Sequence, residues 1–282
     1  MNPVPPKVRT LAYKSVLRVL KVVNPGDVTI RHHWTGDSLR LHSFRHKNYW
    51  YHGTSRERDT MIALAQLLRP GDSVVEVGGH IGYLAMWIAR LVGDSGRLVV
   101  CEPGSNNLPY LKRNTETYSN VTVRDVAIAE TEGDLDFLEE EFSGQNNSLL
   151  VDGALFEVNR KHAGVSAKST VRTVHAVPLD DIFNSMSNIP ALVKVDVEGA
   201  ELAVVKGARE VLNKHRPIWI IEVTQDQEEL ADLFREAGYV TLYPNLRRAS
   251  GFDRTSENFI CLHKETHRAA LEAIGGILAV NA

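Results

Sequence analysis

The chain has 282 residues, of which 43% are hydrophobic and 24% charged. This composition is typical of a folded globular protein and excludes a disordered or collagen-like chain. The net charge of −3 is unevenly spread: residues 1–58 carry eleven Lys and Arg against three Asp and Glu (+8), and residues 59–282 carry twenty-one against thirty-two (−11). We predict an N-terminal extension of residues 1–58 and one larger domain of residues 59–282. The basic extension is either a solvated face or a contact for an anionic neighbour.

The two cysteines, Cys101 and Cys261, each lie in an apolar run (VVCE and FICLH) without a metal-ligand spacing. Such thiols indicate a reducing compartment, and not a disulfide scaffold or a zinc site. No stretch approaches the roughly 18 consecutive apolar residues of a membrane-spanning helix. The first residues, MNPVPPKVRT, lack the apolar region of a signal peptide. A cytoplasmic protein is the expectation.

The N-terminal extension begins with a predicted amphipathic helix at residues 8–23, where apolar residues recur at helical spacing and three lysines follow another face. Two interpretations stay open for this basic helix. Either it lies on an anionic membrane, at its inner face, or it packs on its own domain or on a partner subunit of a homo-oligomer. The next segments, DVTIRHHW and SLRLHSF, alternate around a Thr-Gly-Asp turn at residues 35–37 and predict a β-hairpin.

From residue 59 onward, short β-branched strands alternate with helical segments. The predicted strands include SVVEVG, RLVVCE, TVRDVAI, DLDFLEE, STVRTVHAV, ALVKVDVEG, PIWIIEV, GYVTLYP and NFICLHK. This alternation predicts an α/β fold with a parallel sheet covered on both faces and closed by a hairpin of the last two strands. Polar residues 141–170 interrupt the pattern, and a connection of this length predicts a lid or a substrate loop.

Three glycines join the first strand of the larger domain to its next helix in VVEVGGHIGYLA: Gly78, Gly79 and Gly82. A dinucleotide-binding turn needs glycine at the second position of G-x-G-x-x-G, where the backbone approaches a pyrophosphate, and here His80 occupies that position. Glu102, at the end of the next strand, is placed to accept both hydroxyls of a ribose. Glu76 is placed to hold a cationic amine. A ligand with a ribose, an ammonium group and no pyrophosphate is S-adenosylmethionine.

Four segments resemble the FkbM-type S-adenosylmethionine-dependent methyltransferases: VVEVGGHIGYLA, VVCEPGSNNLPYLKRNTE, VPLDDI and LVKVDVEGAELAVVKGARE. The resemblance covers residues 60–262. It implies a Rossmann-like seven-stranded class I methyltransferase sheet with an antiparallel last strand, and methylation of hydroxyls on sugars, polyketides or other natural products. It also places Gly78, Gly82 and Glu102 on cofactor positions.

The sequence departs from the usual family pattern at three positions near the turn. The family usually has Asp at Glu76, Ala at Gly79 and Asn at His80. The first change keeps the carboxylate, and the other two predict an altered pocket floor. Asp125, just after the third strand begins, either approaches the adenine amino group or caps a turn.

Acidic side chains at strand ends are the candidates for the reacting centre. A hydroxyl acceptor is a poor nucleophile at neutral pH and requires a base or a metal ion. Asp196 and Glu198 end the fourth strand and Glu222 ends the fifth, where parallel strands meet the cofactor. Asp196 is the predicted catalytic centre, with Glu222 and His80 also predicted to be catalytic. Asp196, Glu198 and Glu222 either bind a hard cation such as Mg²⁺ or divide into a base and orienting groups.

Other polar residues have weaker signals. Asn106 and Asn107 are predicted to cap a helix N-terminus, and His175 to be a packed core residue. Glu201 either complements a helix dipole or has a role in the site. The neutral run at residues 143–148 either reads sugar hydroxyls or is a polar surface loop.

We therefore predict an S-adenosylmethionine-dependent O-methyltransferase for a small-molecule or glycan acceptor, with a saccharide or glycolipid first and a polyketide or peptide-derived metabolite second. The alternatives are an NAD(P)-dependent oxidoreductase and a non-catalytic methyltransferase-like binding module. His80 at the second glycine position weakens the oxidoreductase, and the acids at the strand ends weaken the binding module. A nucleic acid partner is not expected, because the larger domain is acidic and phosphate binding requires a basic groove.

Overall fold

The computed structural model of the chain describes residues 16, 23, 25–140, 143–149, 169–253, 256 and 258–280, the last six of these as backbone only. The predicted helix at residues 8–23, apart from the helical residues 16 and 23, and most of the predicted lid at residues 141–170 lie outside the described residues. The chain divides into two compact units, Met1–Arg58 and Asp59–Ala282.

The smaller unit contains the β-hairpin that the sequence predicts. Strand β1 (Asp27–Arg31) pairs antiparallel with β2 (Ser38–His42). The His32 N–H donates to Asp37 O at 2.8 Å and closes the turn. A six-residue helix, α1 (Lys47–His52), follows the hairpin.

The larger unit is built on strands that the structure describes as β3 to β13. They are β3 (Ser73–Val77), β4 (Arg97–Cys101), β5 (Val121–Arg124), β6 (Ala127–Ile128), β7 (Gly133–Glu140), β8 (Ser148–Leu149), β9 (Ser169–Val177), β10 (Leu192–Val195), β11 (Ile218–Glu222), β12 (Tyr239–Leu242) and β13 (Asn258–His263). Seven of them form one sheet in the order β5-β4-β3-β10-β11-β13-β12. The five strands from β5 to β11 in this order run parallel to one another. Strand β13 runs antiparallel to its neighbours β11 and β12. This is the Rossmann-like class I methyltransferase sheet with an antiparallel last strand, and the predicted fold is confirmed.

The remaining strands form a second sheet in the order β6-β9-β7-β8. Its main pairing joins β7 and β9 antiparallel, from Gly133 opposite Ala176 to Glu140 opposite Ser169. The sequence pattern predicts the strands DLDFLEE and STVRTVHAV but contains no signal that they leave the main sheet. In this second sheet, residues 143–147 lie between β7 and β8 along the chain.

Seven helices accompany these sheets in the described part of the larger unit. They are α2 (Arg58–Leu67), α3 (Tyr83–Val92), α4 (Leu108–Thr115), α5 (Leu179–Asn184), α6 (Glu201–Lys206), α7 (Gln227–Glu236) and α8 (Arg268–Val280), with a π-helical turn at Val211–His215. Helix α3 ends where Gly93 adopts a φ of 65°, a conformation that glycine tolerates. Helix α4 has a proline in its first turn, where no intrahelical N–H bond is lost. Within the described residues, no helix is long and apolar enough to cross a membrane.

The central strands are buried on both faces. Every residue of β3 and of β10 is buried, as expected for parallel strands covered on both sides. On β11, Trp219 packs edge to face on Phe234 of α7, with ring centroids 5.4 Å apart. Because β3, β4, β10 and β11 run parallel, their carboxyl ends meet at one edge of the sheet, where ligands bind in folds of this type.

Candidate functional site

The glycine turn after β3 packs against the neighbouring strands so closely that side chains are excluded. A Cβ atom on Gly78, whose φ is 89°, would lie 1.8 Å from the carbonyl oxygen of Asp196. A Cβ on Gly79 would lie 2.3 Å from Val100 Cγ1. The Gly78 N–H donates to Cys101 O at 2.9 Å. The turn is therefore fixed between β4 and β10 with its backbone at the sheet edge.

The Glu102 carboxylate lies beside this turn and already accepts three hydrogen bonds. The His80 N–H donates to Oε2 at 2.8 Å, and Oε1 accepts from Gly104 N–H at 2.8 Å and Asn107 Nδ2 at 3.2 Å. Burial raises the pKa of Glu102 to about 7, although the backbone N–H donors of Gly104 and His80 oppose that shift. A carboxylate has about four acceptor positions. One position, on Oε2, stays available for a ligand hydroxyl, and a second hydroxyl would have to replace one of the present donors.

Glu76, Lys194 and Asp196 share one face of the central strands. Lys194 pairs in register with Glu76, and side chains two residues apart on a strand point to the same face. Glu76 is 1% exposed, and its Oε2 has no hydrogen-bond partner among the described residues. Lys194 is fully buried, and its Nζ lies 3.5 Å from Asp196 Oδ2. Burial raises the pKa of Glu76 to about 8, with the Lys194 cation opposing and the Asp196 and Glu102 carboxylates adding to that shift. Glu76 is therefore protonated at neutral pH, and an incoming cation would favour its ionised form.

The three acids predicted at the strand ends converge. One carboxylate oxygen each of Asp196, Glu198 and Glu222 lies within 4.8 Å of the other two. All three side chains are partly buried, and Asn258 Nδ2 donates to Glu222 Oε2 at 3.4 Å. Opposed ligands of Mg²⁺ lie roughly 4 Å apart, since each oxygen is about 2.1 Å from the ion. Carboxylate oxygens are the ligand type of a hard cation, and the three side chains would have to draw closer than the 4.8 Å limit to share one ion.

Two residues of the site have strained backbone. His80 has a φ of 46° and Glu198 a φ of 51°, a left-handed conformation that costs a side-chain-bearing residue on the order of 1 kcal/mol. Strain of this kind concentrates at functional sites, where the surrounding structure holds it in place. Both residues flank the cleft between the glycine turn and the acids.

Residues 143–149 bridge the two sides of this cleft. The Ser143 carbonyl oxygen lies 3.1 Å from His80 Nε2, and the Ser148 hydroxyl donates to Glu198 O at 2.8 Å. Both serines are buried. The surface-loop interpretation of this run is therefore wrong, because its backbone and side chains tie the glycine turn to the acids. Whether the run reads a sugar stays a prediction.

Comparison with known proteins identifies the family. Residues 76–241 match the family model of the methyltransferase FkbM domain, which is more than half of the chain. The chain belongs to the FkbM methyltransferase domain family. No curated protein matches it.

Solved methyltransferase structures are distantly similar to this FkbM domain. An FkbM methyltransferase from Methylobacillus flagellatus is 18% identical with a TM-score of 0.42, over 74% of this chain and 59% of its own. The fibrillarin of Aeropyrum pernix with bound S-adenosyl-L-methionine is 12% identical with a TM-score of 0.42, over 84% and 83%. An O-methyltransferase from Thermotoga maritima is 12% identical with a TM-score of 0.38, over 73% and 63%. The chain thus spans about three fifths of the Methylobacillus protein, and likenesses this low carry no weight for the function.

Asn107 of the FkbM domain lies at the predicted helix N-cap, but the predicted side-chain capping is wrong. Asn107 occupies the N-cap position of α4 but makes no side-chain capping bond. Its Nδ2 donates to Glu102 Oε1 and, at 3.0 Å, to Gly144 O. Asn106 Nδ2 donates to Glu140 O at 2.9 Å. Both amides satisfy buried acceptors around Glu102, which would cost free energy if they were left without donors.

Glu201, the first residue of α6, holds the turn next to Glu198 in place. It is buried and accepts Gly199 N–H at 2.8 Å, one residue after Glu198. Burial raises its pKa to about 7, although the Gly199 N–H opposes that shift. The carboxylate thus fixes the turn that carries Glu198, in addition to lying at a helix N-terminus.

Two further predicted residues lie on the surface. Asp125 is exposed and directly follows β5. Strand β5 pairs with β4, the strand that precedes Glu102. His175 is exposed on β9, with its Nδ1 3.3 Å from Asp134 Oδ1, so the prediction of a packed core histidine is wrong. Alternation along β9 explains the exposure: Ala176 is buried and Val174 partly buried on the core side, so His175 between them faces outward.

The sequence analysis missed Lys194 and Asn114. Lys194 is the buried cation between Glu76 and Asp196. Its signal in the sequence is a single lysine inside the apolar run of a central strand, LVKV, where charged residues are rare unless paired. Asn114 of α4 donates to Ile81 O at 2.7 Å and so holds the glycine turn. No pattern in the sequence distinguishes this asparagine from a surface residue.

Proposed function

We propose that the protein is an S-adenosylmethionine-dependent O-methyltransferase. The observation that carries the proposal is the convergence of Asp196, Glu198 and Glu222 at the sheet edge that also holds the glycine turn. Membership of the FkbM methyltransferase family supports methyl transfer and disfavours the oxidoreductase alternative. A non-catalytic binding module would have no use for three converging acids.

The cleft residues fit the cofactor in chemical type. The buried, unpartnered Oε2 of Glu76 would receive the ammonium group, and the free acceptor position of Glu102 a ribose hydroxyl. The three glycines let the turn pack tightly on its neighbours and so set where its backbone would meet the cofactor. Asp125, which follows the strand beside Glu102, would face the adenine. The cofactor set is Glu76, Gly78, Gly79, Gly82, Glu102 and Asp125. When bound, S-adenosylmethionine supplies an electrophilic methyl group on sulfur.

Asp196 is the proposed base. Its side chain is 25% exposed, and Oδ2 lies 3.5 Å from Lys194 Nζ, so the carboxylate is held at the sheet edge where it would accept the hydroxyl proton. Glu222 and the strained His80 would orient the acceptor. The same acids would alternatively hold Mg²⁺, which lowers the pKa of a bound hydroxyl and so reduces the need for a base.

A hydroxyl on a saccharide, a glycolipid or a related natural product is the proposed acceptor. Buried, uncharged hydrogen-bonding residues at 143–149 beside the cleft suit sugar hydroxyls better than phosphates. The −11 balance of residues 59–282 disfavours a nucleic acid acceptor. We further propose that the protein is cytoplasmic and that the basic residues before position 25 contact an anionic membrane. The alternative is that this segment forms a contact between subunits of a homo-oligomer.

The test is transfer of a labelled methyl group from S-adenosylmethionine to a panel of alkyl glycosides. Asp196→Asn removes the base, and we expect transfer to fall by about 10²- to 10⁴-fold with the affinity for S-adenosylhomocysteine within a few-fold of wild type. The matched control is Asp94→Asn, which makes the same change in an exposed turn. A chelator arm separates the two roles: transfer lost with EDTA and restored by Mg²⁺ assigns the acids to a metal. Full transfer by Asp196→Asn would remove this residue from the mechanism.

A further inference from the structure

A second cavity, of about 190 Å³, lies against the outermost strand of the main sheet. Its lining comes from α7, from β12 and the segment after it, and from the residue that follows β13, and it includes Arg235, Arg248, Ser250 and Lys264. Strand β12 is separated from β11 and its Glu222 by β13. The cavity is therefore distinct from the cleft at the carboxyl ends of β3, β4 and β10.

Three cations from three different elements line this cavity. Arg235 lies in the last turn of α7, Arg248 follows β12, and Lys264 follows β13. The described lining contains no acidic residue. Arg235 pairs with Asp232 Oδ1 at 2.6 Å, whereas Arg248 and Lys264 have no ion-pair partner within the described part of the chain. Residues 59–282 have a net charge of −11, so cations that line one cavity without an ion-pair partner are unusual there. A bound anion would stabilise them.

Backbone hydrogen bonds fix the main chain beside Arg248 and at Lys264, whose side chains are exposed. The Ala249 N–H donates to Thr241 O at 3.0 Å, and Leu242 and Arg248 form an antiparallel bridge. The Lys264 N–H donates to Gly238 O at 3.0 Å. A ligand that meets a preformed backbone loses less affinity to the ordering of the protein.

We propose that this cavity binds the phosphate group of a small-molecule phosphate monoester. The Arg248 guanidinium presents a planar pair of donors that matches two phosphate oxygens, and Lys264 adds a point charge. The Ser250 hydroxyl in the lining is a further donor. A dianionic phosphate gains more from two adjacent cations than a monoanionic carboxylate does. The site thus gives the protein a third ligand, recognised apart from the methyl donor and the acceptor.

The test is calorimetric titration with inorganic phosphate at constant ionic strength, with S-adenosylhomocysteine present to fill the cofactor cleft. We expect wild type to bind phosphate, and Arg248→Glu and Lys264→Glu each to weaken binding by about tenfold or more, since a hydrogen bond to a charged group contributes about 1.5–3 kcal/mol. The matched control is Arg247→Glu, which makes the same charge change on an exposed neighbour outside the lining. This control should bind phosphate within about twofold of wild type, because surface charges act weakly at a distance.

Three results would overturn the proposal: no binding of phosphate to wild type, equal loss in Arg247→Glu, or no loss in both cavity variants. Acetate that binds as tightly as phosphate would also contradict it. Vesicles with phosphatidic acid distinguish the source of the monoester: binding to them with the same dependence on Arg248 and Lys264 assigns a lipid headgroup, and binding of glycerol 3-phosphate alone assigns a soluble ligand. Both outcomes are independent of methyl transfer.

Discussion

The pKa of the buried Glu76 carboxyl group depends on its burial and on the charged residues around it. Burial raises its pKa to about 8, and its Oε2 lacks a hydrogen-bond partner within the described structure. A protonated acid at this position cannot pair with a cation until it loses its proton. If the ammonium group of the cofactor binds here, binding releases a proton at neutral pH, and the affinity depends on pH.

We predict that the affinity for S-adenosylhomocysteine rises between pH 7 and pH 8. The sign follows from the raised pKa: the ligand prefers ionised Glu76, and the free protein must release the proton below pH 8, so each fall in pH opposes binding. The pKa of Glu102 is raised to about 7, so titration of this carboxyl group changes the affinity mainly below pH 7. Titrations in two buffers of different ionisation enthalpy would measure the proton release.

Glu76→Gln is the control for this pH dependence. This substitution keeps the shape of the side chain but has no titrating group, so its affinity should be lower and constant from pH 7 to pH 8. A wild-type affinity that does not change over the same range, or a Glu76→Gln variant that keeps the wild-type slope, would contradict the proposed ammonium contact.

For single residues, the sequence predicts which side chains lie at the site, but not which atoms they contact. Asp196, Glu198 and Glu222 were predictable together, because the carboxyl ends of parallel strands meet at one edge. Lys194 and Asn107 were not, since a side chain's role depends on which neighbouring strand or loop it contacts. Asn107 shows this directly: its place before a helix predicts a cap, yet the buried Glu102 and Gly144 oxygens take its amide.

Among the elements, the glycine turn after β3 depends most strictly on backbone geometry. Gly78 has a φ of 89°, and a Cβ there would lie 1.8 Å from Asp196 O. We predict that Gly78→Ala destabilises the fold by about 2 kcal/mol or more, through overpacking and a disfavoured φ. The matched control is Gly133→Ala at the start of β7, where a Cβ meets nothing within 4 Å and φ is not positive. Urea unfolding measures both variants, and equal midpoints for the two would contradict the assigned contact.

A second element recurs in both units: a histidine turn at the end of a strand. At the end of β13, His263 N–H donates to His267 Nδ1 at 2.9 Å, and Thr266 N–H donates to His263 Nδ1 at 3.2 Å. The end of β2 has the same arrangement, with His42 N–H donating to His46 Nδ1 at 2.9 Å. A ring nitrogen that accepts an N–H carries no proton, so these imidazoles are neutral.

We predict that the His263–His267 turn makes stability depend on pH between 6.5 and about 4. Burial, with the nearby His263, lowers the pKa of His267 from 6.5 to about 4. The unfolded chain therefore binds more protons in this window, and the free energy of unfolding falls as the pH drops from 6.5 towards 4. His267→Asn keeps a side-chain acceptor without a titrating group and should reduce that slope. Urea midpoints at pH 7 and pH 5 test this, and parallel slopes for variant and wild type would contradict it.

The elements of the main sheet were predictable because local pattern determines them. Apolar runs such as SVVEV and LVKV identify strands that are buried on both faces, and glycine ends α3. The second sheet was not predictable as a separate layer. Its strand β9 is exposed on both faces over its first five residues, so its pattern does not reveal which strands it pairs with.

Over the whole molecule, the strand order β5-β4-β3-β10-β11-β13-β12 explains why the candidate site assembles from distant parts of the sequence. Glu76 and Glu222 are far apart in the chain, but β10 pairs in parallel with both β3 and β11 and brings their carboxyl ends together. The alternation of strands and helices predicts a parallel sheet, and the family resemblance implies seven strands, but neither contains the strand order. The acceptor was not predictable to a single compound, because side chains around a cleft select chemical groups and not whole molecules.

The central claim is that the site formed by the glycine turn and Glu102 binds an adenosyl amino acid and excludes a dinucleotide. Calorimetric titration of the 282-residue chain with S-adenosylhomocysteine and with NAD⁺ tests it most directly. We predict that wild type binds S-adenosylhomocysteine and not NAD⁺, and that Glu102→Ala weakens binding by about tenfold or more through lost hydrogen bonds to a charged acceptor. Glu116→Ala, on the exposed end of α4, should bind as wild type does. Binding of NAD⁺ in place of S-adenosylhomocysteine, or an unchanged affinity in Glu102→Ala, would contradict the claim.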